Sequence, residues 1–150
     1  MKKSPEHLKH KPIYEIKNYD RIDGQYKNDS DVYAISIGKA QWSESGEFIP
    51  SVKVWRKKNG RWSRQSEETT ITRALDMAML VVQILDHYYN NKSFSTSYNP
   101  FGNYIEIDAA TGVDGWSSLE KELENAVKKS KIDIESHIRL LEEALTRYRE

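Results

Sequence analysis

The dipeptide Asn59-Gly60 is the feature that most constrains the fold of this chain. It lies between two runs of residues that favour strands, and Asn-Gly at such a position favours a two-residue hairpin turn because both central residues need a positive φ. The turn fixes a register in which Lys57 faces Trp62 and Trp55 faces Arg64. Side chains alternate along a strand, so one face of the hairpin is predicted to carry Lys53, Trp55, Lys57, Trp62 and Arg64.

Two other segments upstream of the turn show strand patterns. Val32–Gly38 alternates with a period of two, which places its aromatic and β-branched residues on one face and its small residues on the other. The first hairpin strand, at about 48–57, likewise places Phe48, Val52 and Val54 opposite its cations and Trp55. A short strand is predicted at 13–16, residues 1–12 are predicted to be a loose arm, and the segment rich in Asp, Asn and Gly at 18–31 is predicted to be a loop.

The period changes to 3.6 over residues 70–90, which predicts a long helix. One apolar stripe runs along it, and Met77, Leu80 and Ile84 form a second apolar row. This apolar arc is wider than one sheet face requires. Two alternatives follow: the C-terminal helices cover the second row, or the second row meets its own copy in a homodimer.

The C-terminal third is predicted to be mainly helical. Ser117-Ser-Leu-Glu120 fits a capping box that begins a helix running to about Lys129, and a regular apolar stripe then continues to the end as one bent helix or as a hairpin joined near Ser130. A strand is predicted at 103–108. Residues 1–150 are therefore predicted to form one α+β domain, with an antiparallel sheet of three to four strands packed by one long helix and followed by one or two C-terminal helices.

Composition excludes several classes of protein. The chain has 150 residues and no Cys, which excludes disulfide scaffolds, thiol enzymes and Cys-ligated zinc or iron–sulfur sites. No apolar run approaches the roughly 20 residues of a membrane-spanning helix, so we expect a cytoplasmic protein without membrane contact. The four His residues lie in no pattern typical of a catalytic triad or a metal site, and we predict no catalytic residue, no metal and no cofactor.

The formal net charge of zero conceals an asymmetry. Residues 1–66 carry 14 Lys and Arg against eight Asp and Glu, whereas residues 67–150 carry nine against 15. Six cations and no acid lie between Phe48 and Ser66. Cations interleaved with Trp are typical of surfaces on which the bases of single-stranded nucleic acid stack, and this is the function that the hairpin predicts. In the alternative, the N-terminal segment or the acidic C-terminal helices cover that face and the protein is an interaction or structural module.

Two sequence blocks resemble an uncharacterised family of small bacterial proteins, a domain of unknown function. They are Lys53-Val-Trp-Arg56 and Trp62-Ser-Arg-Gln-Ser-Glu-Glu68, together with Ala40-Gln-Trp42. The resemblance covers roughly the first 90 residues and implies a bacterial protein without an established activity. The order of sheet and long helix is also similar to that of the single-strand-binding proteins of the PC4 and Whirly type, a likeness of architecture only.

Overall fold

The α+β class predicted from the sequence is confirmed by a computed structural model, which contains an antiparallel sheet, one long helix and two C-terminal helices. The chain divides into two compact units, unit 1 (residues 1–76) and unit 2 (residues 77–150). That residues 1–150 act as one domain stays a prediction. The structure describes residues 10–63, 67–93, 97–98, 104–105 and 107–150.

Unit 1 contains a five-stranded antiparallel sheet. Its strands are β1 (Lys11–Lys17), β2 (Val32–Lys39), β3 (Pro50–Lys58), β4 (Arg61–Trp62) and β5 (Glu68–Thr70). The first three lie side by side in chain order, and the second edge of β3 is shared by β5 along its first half and by β4 at its end. Strand β5 was not predicted, because three polar residues show no alternation and only pairing with β3 makes them a strand.

The Asn-Gly turn and its register are confirmed. Asn59 and Gly60 have φ values of 50° and 76°, as a turn with two left-handed residues requires. Lys57 faces Trp62 and Lys58 faces Arg61. The amide of Ser63 still donates to the carbonyl of Arg56 at 2.8 Å, whereas Arg64 lies outside the described residues.

Of its two faces, the sheet buries the one with the lower hydropathy. We call the two sides the small-residue face (Ala34, Ser36, Gly38, Ser51, Lys53 and Trp55) and the apolar face (Ile35, Ile37, Val52 and Val54). The residues of each face pair across β2 and β3 as the predicted alternation requires. The small-residue face is buried, while the apolar face is half-buried or exposed. A Cβ atom on Gly38 would overlap the carbonyl oxygen of Lys11 in β1, which shows how closely the backbones approach here.

The prediction of a loose arm over residues 1–12 is wrong for its last three residues. Strand β1 begins at Lys11, and His10 is fully buried. The short strand predicted at 13–16 is therefore extended to Lys11–Lys17, because pairing with β2 supplies hydrogen bonds that the local sequence does not signal. Residues 1–9 lie outside the described part of the chain.

The long helix α1 (Ile71–Asn90) ends in unit 2, which also contains α2 (Trp116–Lys129) and α3 (Lys131–Arg149). The break at Ser130 shows that the C-terminal stretch is two helices. Two short paired strands, β6 (Ser97–Tyr98) and β7 (Tyr104–Ile105), lie between α1 and α2, and β7 falls within the strand predicted at 103–108. In the part of the chain that the structure describes, no helix has the length and apolar character to cross a bilayer.

The capping box predicted at the start of α2 is wrong. The helix begins at Trp116 after Gly115, which has a φ of 71°, and no side chain caps it. The carboxylate of Glu120 instead accepts a hydrogen bond from the hydroxyl of Tyr88 at 2.9 Å. Beside it, the hydroxyl of Tyr89 donates to the carbonyl of Val127 at 2.6 Å, so two tyrosines at the end of α1 hold α2.

We expect the Tyr88 hydrogen bond to show in alkaline unfolding. Burial, followed by the hydrogen bond to Glu120, raises the pKa of Tyr88 to about 12. A phenol whose pKa is about 10 when unfolded therefore stabilises the fold below pH 10, and this stabilisation is lost as the pH rises from about 10 to about 12. Tyr88→Phe should lower the free energy of unfolding by about 1 kcal/mol at neutral pH, with the difference from the native protein shrinking above pH 10.

Urea denaturation followed by helical circular dichroism at several pH values measures this difference. Tyr148→Phe is the matched control, because that side chain is 87% exposed and its substitution should change nothing. A difference between native protein and Tyr88→Phe that stays constant from pH 7 to about 12 would contradict the expectation.

Candidate functional site

The structure divides the five residues of the predicted nucleic-acid face. Trp55 is 1% exposed and Lys53 is 6% exposed, so both lie in the core of unit 1. Lys57 and Trp62 are half-buried near the turn, and Arg64 lies outside the described residues. Stacking needs an exposed ring face, and the buried ring of Trp55 does not offer one in this structure.

Trp55 is surrounded by aromatic and cationic groups of its own unit. Its ring meets His10 edge-on at a centroid distance of 5.6 Å and Trp62 at 6.0 Å. The ammonium of Lys53 lies 4.3 Å from the Trp55 ring, and that of Lys57 lies 5.5 Å from the Trp62 ring. The Lys57–Trp62 contact is the one expected from the hairpin register. The contact with His10 matches the alternative in which the N-terminal segment covers Trp55.

A chain of hydrogen bonds continues from Trp55 through the small-residue face. We call it the buried polar network, and it consists of Trp55, Ser36, His10, Ser51 and Glu68. The indole N–H donates to Ser36 Oγ at 2.8 Å, and Ser36 Oγ lies 3.1 Å from His10 Nε2. His10 Nδ1 lies 2.8 Å from Glu68 Oε1 and 3.0 Å from Ser51 Oγ.

Glu68 is the acceptor at the end of this network. Its Oε1 accepts from the hydroxyl of Ser51 at 2.8 Å and from the backbone amide of Gln41 at 3.1 Å, besides its contact with His10. Its Oε2 is buried and has no hydrogen-bond partner among the described residues. Lys53 faces Glu68 across the two strands. Burial lowers the pKa of the Lys53 ammonium, and the negative charge of Glu68 opposes that shift.

The direction of the protons in the network follows from its donors. The indole of Trp55 can only donate, so Ser36 accepts that bond and its own hydroxyl proton is available for His10 Nε2. His10 then donates from Nδ1 toward Glu68. Serine, histidine and carboxylate therefore have the connectivity of a hydrolytic triad. Ser36 is only 2% exposed and lies in the middle of a central strand, so a substrate does not reach its hydroxyl and the arrangement acts as a structural network.

No local pattern in the sequence signals this network. His10 and Glu68 are 58 positions apart, and neither residue stands in a motif that indicates a hydrogen-bond network. The usable signal was the pair of serines on the small-residue face, because Ser36 and Ser51 lie on neighbouring strands beside a large aromatic residue. Buried hydroxyls require hydrogen-bond partners. Because the alternation of both strands places the two serines on one face, burial of that face requires a polar group packed against it.

The remaining hairpin cation near the core, Arg56, is paired on the opposite side of the sheet. Its guanidinium donates to Glu67 at 2.7 Å and to Asp31 at 2.8 Å. The hydrogen bond to Glu67 raises the pKa of Arg56, and the same bond lowers the pKa of Glu67. Part of the positive charge of the hairpin is thus balanced by acids from the flanking segments of the same unit.

The residues of the predicted dimer row lie in unit 2. Met77 is 61% exposed, Leu80 is 46% exposed, and Ile84 is half-buried. Val81, one turn beyond Met77, is 55% exposed and extends the row. Among the described residues no group of three or more His, Asp or Glu side chains forms a metal site.

Together these features define a small α+β protein whose antiparallel sheet is built around a buried polar network and whose long helix exposes apolar side chains. The chain belongs to the family of unknown function DUF6530, whose family model matches residues 1–150. The expectation of an uncharacterised family is confirmed, and the match covers the whole chain instead of roughly the first 90 residues. No curated protein and no solved structure matches closely enough to indicate a relationship. The architectural likeness to PC4 and Whirly-type proteins stays a prediction.

We expect Ser36→Ala to destabilise the protein. The substitution removes the acceptor of the Trp55 indole N–H and the partner of His10 Nε2, and it leaves both groups buried. The free energy of unfolding should fall by about 1–3 kcal/mol. Ser45→Ala, at an exposed position in the turn between β2 and β3, is the matched control and should be neutral. Urea denaturation followed by Trp fluorescence measures both variants, and equal stabilities would show that the network contributes nothing.

Proposed function

We propose that the protein is a non-enzymatic interaction module that associates with a second copy of itself through α1. The observation that carries the proposal is the exposure of the apolar row formed by Met77, Leu80 and Val81. Large apolar side chains that are neighbours on one helix face are typical of surfaces that are buried by a partner. Their position on a regular helix makes the surface rigid before association.

The small interior of unit 2 supports the same conclusion. Within its helices only Leu85 and Tyr88 of α1 are buried, and neither α2 nor α3 buries any side chain. Most helical stability in proteins comes from tertiary packing of an apolar face. A helix α1 that buries so few of its side chains gains stability when a second copy covers its exposed apolar row.

The spacing of the row suits a two-fold axis. Leu80 and Val81 lie midway between Met77 and Ile84. When two copies of α1 pack antiparallel with the axis between Leu80 and Val81, Met77 of one copy faces Ile84 of the other, and Leu80 of one copy faces Val81 of the other. A contact of this kind is isologous, as most homodimer interfaces are.

We expect Leu80→Glu to convert the dimer into a monomer. The substitution places two charges beside the axis and removes an apolar contact at the centre of the interface, where a loss of about 2 kcal/mol or more is typical. The dissociation constant of the dimer should rise by roughly 30-fold. Size-exclusion chromatography with light scattering over a dilution series measures it.

Leu119→Glu is the control for this experiment. It introduces the same charge at a leucine of similar exposure, 50% against 46%, on α2 instead of α1. The control variant should stay dimeric, and circular dichroism should show native helix content for both variants. A native protein that is monomeric at high concentration would overturn the proposal.

We propose as a second candidate that the tip of the hairpin binds single-stranded nucleic acid. The support is local: Lys57, Lys58 and Arg61 lie within five residues of one another beside the half-buried ring of Trp62. Among the described residues, none of these three cations forms an ion pair. The surface is smaller than the five-residue face predicted from the sequence, because Lys53 and Trp55 lie in the core. This function would suit the cytoplasmic location expected from the sequence.

Titration of Trp fluorescence with single-stranded oligonucleotides tests the second candidate. Binding should quench Trp62, and its affinity should fall as salt rises, because each phosphate contact releases counterions. Replacing Arg61 by Ala should reduce the slope of affinity against salt by about one contact. Lys121→Ala, at an exposed cation on α2, should leave the slope unchanged. Folded protein that shows no quenching at low salt would exclude this function.

A further inference from the structure

A cleft opens in unit 1 at one end of the apolar face, between the sheet and the segment that joins β1 to β2. Its volume is about 590 Å³, within the range of small-molecule sites. Val32, Ile35 and Val54 line its apolar part, while Tyr19 and Tyr26 line it from the connecting segment. The cleft thus offers apolar surface, two aromatic rings and several carboxylates together.

The segment at residues 18–31, which was predicted to be a loop, forms one wall of the cleft and has regular structure of its own. It contains two 3-10 turns, Tyr19–Arg21 and Gly24–Tyr26. The amide of Asn28 donates to the carbonyl of Asp20 at 2.6 Å. Asn28 itself has a φ of 69°, a conformation that asparagine tolerates better than most residues. The wall of the cleft is therefore held by hydrogen bonds of its own backbone.

Asp23 is the carboxylate that this segment holds in place. The hydroxyl of Ser30 donates to its Oδ2 at 2.5 Å, and the amide of Val32 donates to the same hydroxyl oxygen at 3.0 Å. Burial, followed by the charge and the hydrogen bond of Asp23, raises the pKa of Tyr19. Tyr19 is therefore a neutral phenol at physiological pH and adds no charge to the cleft.

The charges that line the cleft are predominantly negative. The lining includes one cation, Arg56, and four acids: Asp23, Asp29, Asp31 and Glu67. The guanidinium of Arg56 already donates to Asp31 and Glu67, so its positive charge is paired within the protein. An anionic ligand would meet an excess of carboxylates in this lining, and a purely apolar ligand would remove water from them without replacing it.

We propose that this cleft binds a small organic cation, an ammonium group carried on an apolar body. The apolar part lies against Val32, Ile35 and Val54, and the ammonium lies among the carboxylates beside Tyr19 and Tyr26. Tyrosine rings attract cations through their quadrupole, and a fixed carboxylate such as Asp23 adds a charge-assisted hydrogen bond. The site is independent of the self-association proposed for α1.

Binding of benzylammonium, measured by chemical-shift changes of backbone amides in the full-length protein, tests the proposal. Benzyl alcohol is the neutral isostere and benzoate the anionic one. Benzylammonium should bind at least about tenfold more tightly than either, because only it pairs with the carboxylates. Its shifts should cluster at Ile35, Val54 and the segment 19–31. Equal affinity for all three probes, or shifts outside unit 1, would overturn the proposal.

Variants distinguish binding of benzylammonium in the cleft from non-specific attraction of the cation to an acidic surface. Asp23→Asn should weaken benzylammonium binding by about tenfold, and it keeps an oxygen that accepts from Ser30. Asp76→Asn removes the same charge at an exposed position of unit 1 away from the cleft and should change nothing. Tyr26→Leu, at a side chain that is 59% exposed, should also weaken binding without unfolding the protein. Equal effects of Asp23→Asn and Asp76→Asn would show non-specific attraction and refute the site.

The side chain of a lysine in a peptide has the same chemistry and is the competing occupant of the cleft. A capped tripeptide with a central lysine carries the same ammonium on a longer chain. Tighter binding of this peptide than of benzylammonium would replace the small organic cation by a protein partner and overturn the proposal as stated.

Discussion

The buried carboxylate of Glu68 is the interaction on which the rest of unit 1 depends. Taking a carboxylate out of water costs several kcal/mol unless donors replace the lost hydration. Here the donors come from separate parts of the chain: His10 before β1, Gln41 after β2 and Ser51 within β3. Each donor alone is a modest contribution, but the carboxylate tolerates burial only when they are assembled together. The network therefore couples the N-terminal segment, the centre of the sheet and β5 in one cooperative arrangement.

The same network shows how close a structural arrangement can come to a catalytic one. Ser36, His10 and Glu68 are connected in the order that activates a serine hydroxyl in hydrolases. Catalysis also requires that the hydroxyl reach a substrate and that donors stabilise the developing oxyanion. Ser36 instead spends one lone pair on the indole of Trp55 and lies in the interior. Exposure, more than residue identity, separates the two roles, and the sequence carries little information about exposure.

Local patterns predicted the elements of this fold well. The Asn59-Gly60 turn, its register, the alternation of β2 and the long helix all depend on residues within a few positions of one another, and the structure confirms them. What local patterns did not predict is which sheet face is buried. Hydropathy favours burying Ile35 and Val54, but the large ring of Trp55 lies on the other face, opposite the small side chain of Ala34.

The candidate site was harder to predict for the same reason. The predicted face correctly joined Lys57 to Trp62, because the turn fixes that pair. The positions of Lys53 and Trp55 depend on His10 and Glu68, which are distant in sequence and carry no local signal of their meeting. The capping box predicted for α2 was wrong because the carboxylate of Glu120 instead accepts a hydrogen bond from Tyr88 of α1. Tertiary partners thus decided the points at which local chemistry left more than one choice.

Two adjacent glutamates, Glu67 directly before β5 and Glu68 as its first residue, have an evolutionary consequence. Glu67 pairs with Arg56 on the apolar side of β3, while its neighbour Glu68 enters the buried network on the other side. Successive residues of a strand point to opposite faces, so a single inserted or deleted residue within β5 would exchange the two faces. We therefore expect natural variation in length to be excluded from this short strand, and pairs of residues to be gained or lost there more readily than single ones.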